Sequence, residues 1–208
     1  MYVARSPQTL FPLGGLLKRD VRERARKLAL PTAEKRESMG LCFVGERGAG
    51  AHAFARFLDA YVDGRPGDMV DPSGAVLARH AGLHTLTIGQ GARIPGRRER
   101  YFVARKLPAT NTVVVVPGQS HPMLQCDALE TDAFMWAAAP PPLPDTLLAQ
   151  VRYRQAAAPC TVEALGGGRV RVSFASPMLA VAPGQAVALY RDDVCLGSAT
   201  IASVRNQA

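Results

Sequence analysis

The sequence predicts a mainly β protein with short α segments, in which a small central α+β domain is followed by a C-terminal β-barrel. Three observations support this fold class. Gly (19) and Pro (16) together supply 35 of the 208 residues, so turns are frequent and long helices are few. Helical periodicity is confined to the N-terminal part of the chain. Short apolar segments separated by turn residues fill the remainder, as in proteins built from strands.

Two amphipathic helices are predicted in the N-terminal part. The first lies in "LLKRDVRERARKLAL", where apolar residues recur at helical spacing, and it ends before Pro31. Its apolar face consists of Leu17, Val21, Ala25 and Leu28. The second lies in "HAFARFLDAYV", and its helically spaced apolar residues are Phe54, Phe57, Leu58 and Tyr61. We interpret this aromatic stripe as core packing rather than as a surface that stacks on bases.

Short strands and tight turns are predicted after the second helix. The apolar segments that predict strands up to residue 117 are Val76-Leu77, Leu86-Thr87-Ile88, Tyr101-Phe102-Val103 and Val113 to Val116. The prolines of "AAAPPPLPDT" can neither continue a helix nor donate to a strand ladder. The segment from Ala137 to Thr146 is therefore predicted to be a rigid connector.

The segment after this connector is predicted to be entirely β. In "CTVEALGGGRVRVSFA", Val170, Val172 and Phe174 alternate with polar residues after a glycine-rich turn. A second hairpin is predicted around Asp192-Asp193 in "QAVALYRDDVCLGSATI". A small closed barrel would accommodate these strands without leaving strand edges exposed.

The chain is basic, with a formal net charge of +8. Clustered Lys and Arg gain affinity for phosphates by releasing condensed counterions, so a nucleic acid is the leading candidate partner. The charges of the first helix are best interpreted as its solvated face. Those in "GARIPGRRER" differ, because a loop with Gly and Pro can present them together; they are Arg93, Arg97, Arg98 and Arg100.

The cysteine content argues against metal binding and against a disulfide scaffold. The four cysteines, Cys42, Cys126, Cys160 and Cys195, form no CxxC pair, and no His lies at ligand spacing. We therefore expect no metal ligand set and a reducing compartment. No apolar run approaches the roughly 20 residues that span a bilayer, so no membrane partner is expected.

Cys42 lies in "ESMGLCFVGER", a short apolar run with glycine at both ends and charged residues beyond. A lone Cys between Leu and Phe is usually a small buried hydrophobic residue. A reactive thiolate would instead need nearby cations or backbone N–H groups, and Lys35, Arg36 and Arg47 are close in sequence. The residues alone leave both interpretations open.

Six ordered blocks of the chain resemble the tRNA-specific 2-thiouridylases, most closely the mitochondrial branch. The blocks are "LFPLGGLLKRDVRERARKLALPTAEKRESMGLCFVGER", "FLDAYVDGRPGDMV", "HAGLHTLTIGQG", "VRYRQAAAPCTV", "VAPGQAVALY" and "VCLGSATI". The resemblance implies an enzyme that uses ATP to adenylate the C2 oxygen of the wobble uridine of tRNA. It also implies a cysteine persulfide as sulfur donor, a persulfide-donor relay protein as partner, and disulfide formation.

The resemblance further implies a domain organisation. Residues 1–46 would be the C-terminal remnant of an ATP pyrophosphatase domain, residues 47–117 a central domain and residues 118–208 the barrel. The family's "SGGVDS" phosphate loop and first catalytic cysteine do not occur in this sequence. We therefore expect the ATP site to lie in a preceding domain, and this chain alone to be inactive. The implied location is the mitochondrion, with the bacterial cytoplasm as the alternative.

Four site residues carry over from the family pattern. Cys42 aligns with the persulfide-carrying cysteine, and Arg152, Tyr153 and Gln185 align with residues that contact tRNA. Arg can contact phosphate, Tyr can stack on an unpaired base, and the Gln amide can both donate and accept. Where the family usually reads "TIGQR", this chain has "TIGQG", and its positive charge begins at Arg93.

The other cysteines, and His80, His84 and His121, are interpreted as structural. Two other functions remain open. One is a non-catalytic RNA-binding module in which Cys42 has no role. The other, suggested only by the all-β C-terminal half, is a barrel that docks on the ribosome as translation factors do.

Overall fold

The computed structural model describes residues 10–35, 57–62, 64–153 and 155–206. The chain forms two compact units, and the boundary between them falls between Tyr61 and Val62. The first unit contains the described helix, and the second contains both β-sheets.

Helix α1, Lys18–Lys27, confirms the first predicted helix. It ends before Pro31, where the Leu28 amide donates to the Arg24 carbonyl at 3.0 Å. Basic residues occupy its last turn, where cations interact favourably with the partial negative charge of the carbonyl end. No residue of α1 is buried. Residues 57–59 are helical, as predicted. The interpretation of the aromatic stripe as core packing is wrong for Tyr61, which is 75% exposed, and Phe54 lies outside the described residues.

The central domain is a five-stranded sheet in the order β2-β1-β5-β4-β3. Its strands are β1 Gly67–Val70, β2 Val76–His80, β3 Gly91–Ala92, β4 Tyr101–Leu107 and β5 Thr112–Pro117. Strands β1 and β5 are parallel, and the other neighbours are antiparallel. The predicted strands at Val76, Tyr101 and Val113 are thereby confirmed.

Both faces of this sheet are buried, which explains why β4 and β5 read as continuous apolar runs. On one face, Val103, Val113 and Val115 pack in a cluster with Ile94 and Leu86. On the other face, the apolar cluster joins the sheet to the 3₁₀ turn that leads into the barrel; its members are Phe102, Ala104, Val116 and Leu124. The central sheet therefore shares a core with the chain entering the barrel.

The predicted strand at Leu86-Thr87-Ile88 is wrong. This segment follows a 3₁₀ turn at Leu83–Thr85 and forms a tight turn in which the Gln90 amide donates to the Thr87 carbonyl at 2.9 Å. Gly89 takes φ +82°, a left-handed conformation that a continuous strand does not contain. Leu86 is nonetheless buried in the sheet's core, so the apolar signal reported burial rather than extension.

The C-terminal part is a closed antiparallel barrel, as predicted. Its strands are β6 Gln125–Thr131, β7 Met135–Trp136, β8 Asp145–Gln150, β9 Ala158–Gly166, β10 Arg169–Leu179, β11 Ala186–Arg191 and β12 Val194–Asn206. The order is β11-β8-β9-β10-β6-β12-β7, and β11 also pairs with β12. Six strands therefore close on themselves, with β7 added beside β12. The proline-rich segment lies between β7 and β8, but the last two residues of the predicted connector, Asp145 and Thr146, belong to β8.

The predicted alternation in β10 is also observed. Val170 and Val172 point into the barrel core, whereas Arg171 lies on the outer surface and pairs with Glu130 of β6 at 2.7 Å. The Arg171 guanidinium, through its hydrogen bond and its charge, lowers the pKa of the Glu130 carboxyl. The barrel interior is thus apolar, and charge is restricted to its surface.

We expect Leu189→Ala to destabilise the barrel strongly. Leu189 is fully buried on β11, the strand that closes the barrel. Loss of its side chain should cost about 2–5 kcal/mol in the free energy of unfolding, measured by urea titration. The matched control is Val194→Ala in the same hairpin, where the side chain is 64% exposed and the change should stay within about 0.5 kcal/mol. Equal losses in the two variants would contradict the closed core.

Candidate nucleic-acid interface

The segment between β3 and β4, residues 93–100, forms an arginine-rich loop. Ile94 is buried in the core of the central sheet and anchors this arginine loop. The Arg97 amide donates to the Ile94 carbonyl at 3.4 Å, and the Gly118 amide donates to the Arg100 carbonyl at 2.9 Å. These bonds fix the path of the backbone while the four arginine residues remain exposed.

The loop borders an open cavity of about 580 Å³, here named the arginine cleft. Four arginine residues line it, namely Arg93, Arg97, Arg98 and Arg100. Among the residues that the structure describes, Glu99 is its one acidic lining residue, and Gln119 and Phe102 are also part of its wall. A concave surface with this excess of guanidinium groups is suited to the phosphates of a nucleic acid. The sequence predicted that a loop would bring these four residues together.

A second cavity of about 330 Å³ lies beside the cleft, where the central sheet meets the barrel. This junction groove is lined by Arg152 and Tyr153, two of the predicted tRNA contacts. It shares three lining residues with the arginine cleft, namely Gly89, Phe102 and Gln119. The two cavities therefore adjoin. Tyr153 has 89% of its surface exposed and lines the groove that borders the arginine cleft.

Arg152 makes contacts that the sequence did not reveal. Its side chain is half-buried, and its Nη2 atom donates to the Ile88 carbonyl at 2.8 Å and to the Ala180 carbonyl at 3.0 Å. The first acceptor belongs to the central domain, and the second follows strand β10 of the barrel. The guanidinium thus joins the two folded parts of this unit.

Gln185 lies on the barrel surface just before β11 and lines neither the arginine cleft nor the junction groove. It is the last residue of a turn in which its amide donates to the Ala182 carbonyl at 3.2 Å. Pro183 and Gly184, with φ +83° at Gly184, are the residues that a type II turn requires. The turn exposes the Gln185 side chain.

Cys42 lies outside the described residues, and its role stays a prediction. The three described cysteines are not disulfide-bonded, so the implied disulfide is not found among them. Cys126 and Cys160 are buried, and their thiols donate to the carbonyls of Ala128 and Leu147 at 3.2 and 3.4 Å. Burial raises the pKa of each thiol to about 11, so both are protonated at neutral pH.

The histidines take part in local contacts. His121 accepts a hydrogen bond from the Met123 amide at Nδ1, 3.2 Å away, and Nε2 of buried His80 lies 3.1 Å from the Asn111 carbonyl. In the described part of the chain, no group of three His, Cys, Asp or Glu side chains could hold a metal ion. Among the described helices, none is long and apolar enough to cross a membrane.

Three family models match successive parts of the chain. Residues 4–46 match the tRNA methyl transferase HUP domain, and residues 55–117 match the tRNA methyl transferase PRC-barrel domain. Residues 126–201, which include most of the barrel, match the aminomethyltransferase beta-barrel domain. The chain is therefore similar to proteins that combine these three domains.

Individual relatives identify which proteins these are. The chain is 43% identical over 205 residues to a tRNA-specific 2-thiouridylase MnmA from Cupriavidus metallidurans, covering 95% of this chain and 56% of the relative. For the protein of the same name from Methylibium petroleiphilum, identity is 43% over 213 residues, or 96% and 52% of the two chains. The chain is 42% identical over 207 residues to the tRNA-specific 2-thiouridylase MnmA from Ralstonia pickettii, covering 96% of this chain and 55% of the relative.

The chain is thus a homologue of bacterial tRNA-specific 2-thiouridylases and spans about half the length of these relatives. The expected resemblance to this enzyme family is confirmed. The expected likeness to its mitochondrial branch is not supported, because these relatives are bacterial, and neither is a mitochondrial location.

We expect Cys126 and Cys160 to resist alkylation in the folded protein. Their thiols are buried and their pKa values of about 11 leave almost no thiolate at pH 8. Peptide mass spectrometry after iodoacetamide treatment should show labelling of both only after urea is added. As the pH rises from 9 toward 11, the free energy of unfolding should fall, because these thiols ionise at a lower pH in the unfolded chain than in the folded core. Rapid labelling of either residue at pH 8 without urea would contradict their placement in the core.

Proposed function

We propose that this chain supplies the RNA-binding surface and the persulfide cysteine of a tRNA-specific 2-thiouridylase. The observation that carries the proposal is the adjacency of the arginine cleft and the junction groove. Similarity to 2-thiouridylases over 95% of the chain supports tRNA as the RNA concerned. The proposed domain boundaries remain 1–46, 47–117 and 118–208, and the proposed location is the bacterial cytoplasm.

The cleft and the groove suit two different parts of a nucleotide. Arginine side chains of the cleft would contact backbone phosphates, which position the RNA without reading its sequence. Tyr153 presents an exposed ring beside them, on which an unpaired base of the anticodon loop can stack. Gln185 remains a proposed contact, on the turn just before β11. Arg152 is proposed to belong to the same RNA-binding surface, in the capacity argued in the next subsection.

Cys42 is proposed to carry the sulfur. A relay protein's persulfide would transfer its terminal sulfur to the Cys42 thiolate, and the relay cysteine would leave as a thiolate. The sulfur held on Cys42 would then bond to C2 of the adenylated wobble uridine, where the C2–O bond breaks and the oxygen leaves with AMP. The transferred sulfur would still be joined to Cys42 through an S–S bond, and breaking this bond to release the thiolated uridine requires a second thiol. The first catalytic cysteine that the resemblance implies does not occur in this sequence. The buried thiols of Cys126 and Cys160 are unsuited to the task.

ATP is proposed as the activating co-substrate of the whole enzyme. The residues present do not fit it, because the "SGGVDS" type of phosphate loop does not occur in this sequence. No residue of this chain is assigned to ATP. We therefore propose that the 208-residue chain binds tRNA but does not thiolate it alone.

We expect the full chain, incubated with a persulfide donor, to gain one sulfur atom at Cys42. Mass spectrometry of the tryptic peptide containing Cys42 should show an adduct of about 32 Da, the mass of one sulfur atom, because a thiolate accepts sulfur by exchange. Cys126 and Cys160 serve as internal controls and should carry none. Binding of tRNA without any adduct at Cys42 would favour the non-catalytic RNA-binding module instead.

We expect Arg97→Ala with Arg98→Ala to weaken tRNA binding and to lower its salt dependence. For each arginine that binds a phosphate, its removal should reduce the slope of log K against log[salt] by about 0.7–0.9. The control is Arg105→Ala, an exposed arginine of β4 that does not line the cleft. An unchanged slope in the double variant would show that the cleft does not hold phosphate.

We expect Tyr153→Ala to weaken binding of an anticodon stem-loop by about 1–3 kcal/mol with the salt slope unchanged, because it removes a stacking surface rather than a charge. Filter binding at several salt concentrations measures both quantities. Tyr61→Ala is the matched control, since Tyr61 is also exposed and lies outside the groove. If both variants bound like the parent chain, stacking at Tyr153 would be excluded.

A further inference from the structure

We propose that Arg152 is a positioning residue that holds the central sheet against the barrel, and that it acts on RNA through this junction rather than as a phosphate ligand. One nitrogen, Nη2, donates to both the Ile88 carbonyl at 2.8 Å and the Ala180 carbonyl at 3.0 Å. Hydrogen bonds from a charged donor are stronger than those between neutral groups. The two acceptors are 64 and 28 positions away in the sequence, so the bonds tie distant segments together.

The acceptor in the central domain lies on a rigid turn. The Gly89 amide donates to the Val103 carbonyl at 2.8 Å, and the Val103 amide donates to the Gln90 carbonyl at 2.9 Å. On the same turn, Nζ of Lys106 donates to the Leu86 carbonyl at 2.8 Å. Hydrogen bonds therefore hold the turn to β4 on both sides of Ile88. The hydrogen bond from Arg152 to the Ile88 carbonyl is thus made to a segment that is itself fixed to the central sheet.

The acceptor in the barrel is equally fixed. Ala180 is buried, and its amide donates to the Leu124 carbonyl at 2.7 Å. Leu124 in turn packs in the apolar cluster on the second face of the central sheet. The central sheet and the barrel are thus connected twice, once by the hydrogen bonds of Arg152 and once by the apolar cluster that contains Leu124.

The central sheet and the barrel are in direct contact beneath Arg152. A Cβ atom added to Gly89 would lie 2.3 Å from the Ala180 Cβ and 3.6 Å from Nη2 of Arg152. A glycine at this point lets the turn approach the barrel closely enough for one guanidinium nitrogen to reach both carbonyls. The close approach and the double hydrogen bond therefore depend on each other.

The junction sets the relation between the two RNA-binding cavities. Gly89, Phe102 and Gln119 line both the arginine cleft and the junction groove, and Arg152 holds the turn that contains Gly89. Contacts between domains of one chain often permit relative motion, so a fixed spacing requires a specific restraint. Arg152 supplies that restraint, and its consequence for RNA rests on the proposed function.

The direct test is the distance distribution between the central sheet and the barrel, measured by pulsed electron paramagnetic resonance without RNA. Spin labels are placed at Val76→Cys and Val194→Cys, two exposed positions, one in each body. The background replaces Cys42 and Cys195 with Ser and retains buried Cys126 and Cys160. The parent should give one narrow distance peak.

Arg152→Ala should broaden this peak, and so should Gly89→Ala, which forces the turn away from Ala180. The two changes together should broaden it no further than the larger single effect, because they break one junction. Tyr153→Ala is the matched control from the adjacent position, and it should leave the peak narrow. Circular dichroism identifies any variant that fails to fold, and Gly89→Ala then carries the test in place of Arg152→Ala.

Salt-dependent tRNA binding separates positioning from phosphate contact. A positioning role predicts weaker binding by Arg152→Ala with an unchanged salt slope, whereas a phosphate ligand predicts a slope lower by about 0.7–0.9. A narrow peak in the Arg152 variant together with a lower slope would overturn the proposal. Failure of the parent chain to bind tRNA would instead overturn the proposed function and leave the distance measurement interpretable.

Discussion

Gly89 packs against Ala180 at the point where Arg152 donates to a carbonyl on each side, and the geometry of the second unit depends on this contact. The central sheet and the barrel each have an apolar core of their own. What makes them one surface is the junction, which combines the apolar cluster around Phe102 and Leu124 with the two hydrogen bonds of Arg152. The cleft and the groove adjoin at this junction, where they share lining residues such as Gly89 and Phe102.

The surface side chains and the buried thiols of the second unit are suited to different roles. The barrel and the central sheet each bury an apolar core and leave several arginine side chains and Tyr153 at the surface. Thiols inside the barrel are kept neutral by burial, which protects them from sulfur chemistry. A persulfide at Cys42 would thus be formed without competition from Cys126 or Cys160. Burial excludes these two thiols, whereas Cys195 is only partly buried.

Local patterns predicted most of the fold and only part of the candidate site. The end of α1 before Pro31, the alternation in β10 and the cluster of arginines depend on neighbouring residues, and all three are observed. The turn at Gly89 was missed because an apolar residue, Leu86, is buried there without being in a strand. The double hydrogen bond of Arg152 could not be predicted, because both acceptors are backbone carbonyls far away in the sequence. Backbone acceptors leave no residue-type signal.

Under the proposed function, the arginine cleft and the junction groove bind one RNA as a single surface. Hydrogen–deuterium exchange of the full chain with an anticodon stem-loop that has uridine at the wobble position tests this most directly. Segments 91–102 and 151–155 should gain protection together, at the same RNA concentration, and more strongly than with a stem-loop of unrelated sequence. Protection of only one segment, or saturation of the two at different RNA concentrations, would contradict the claim.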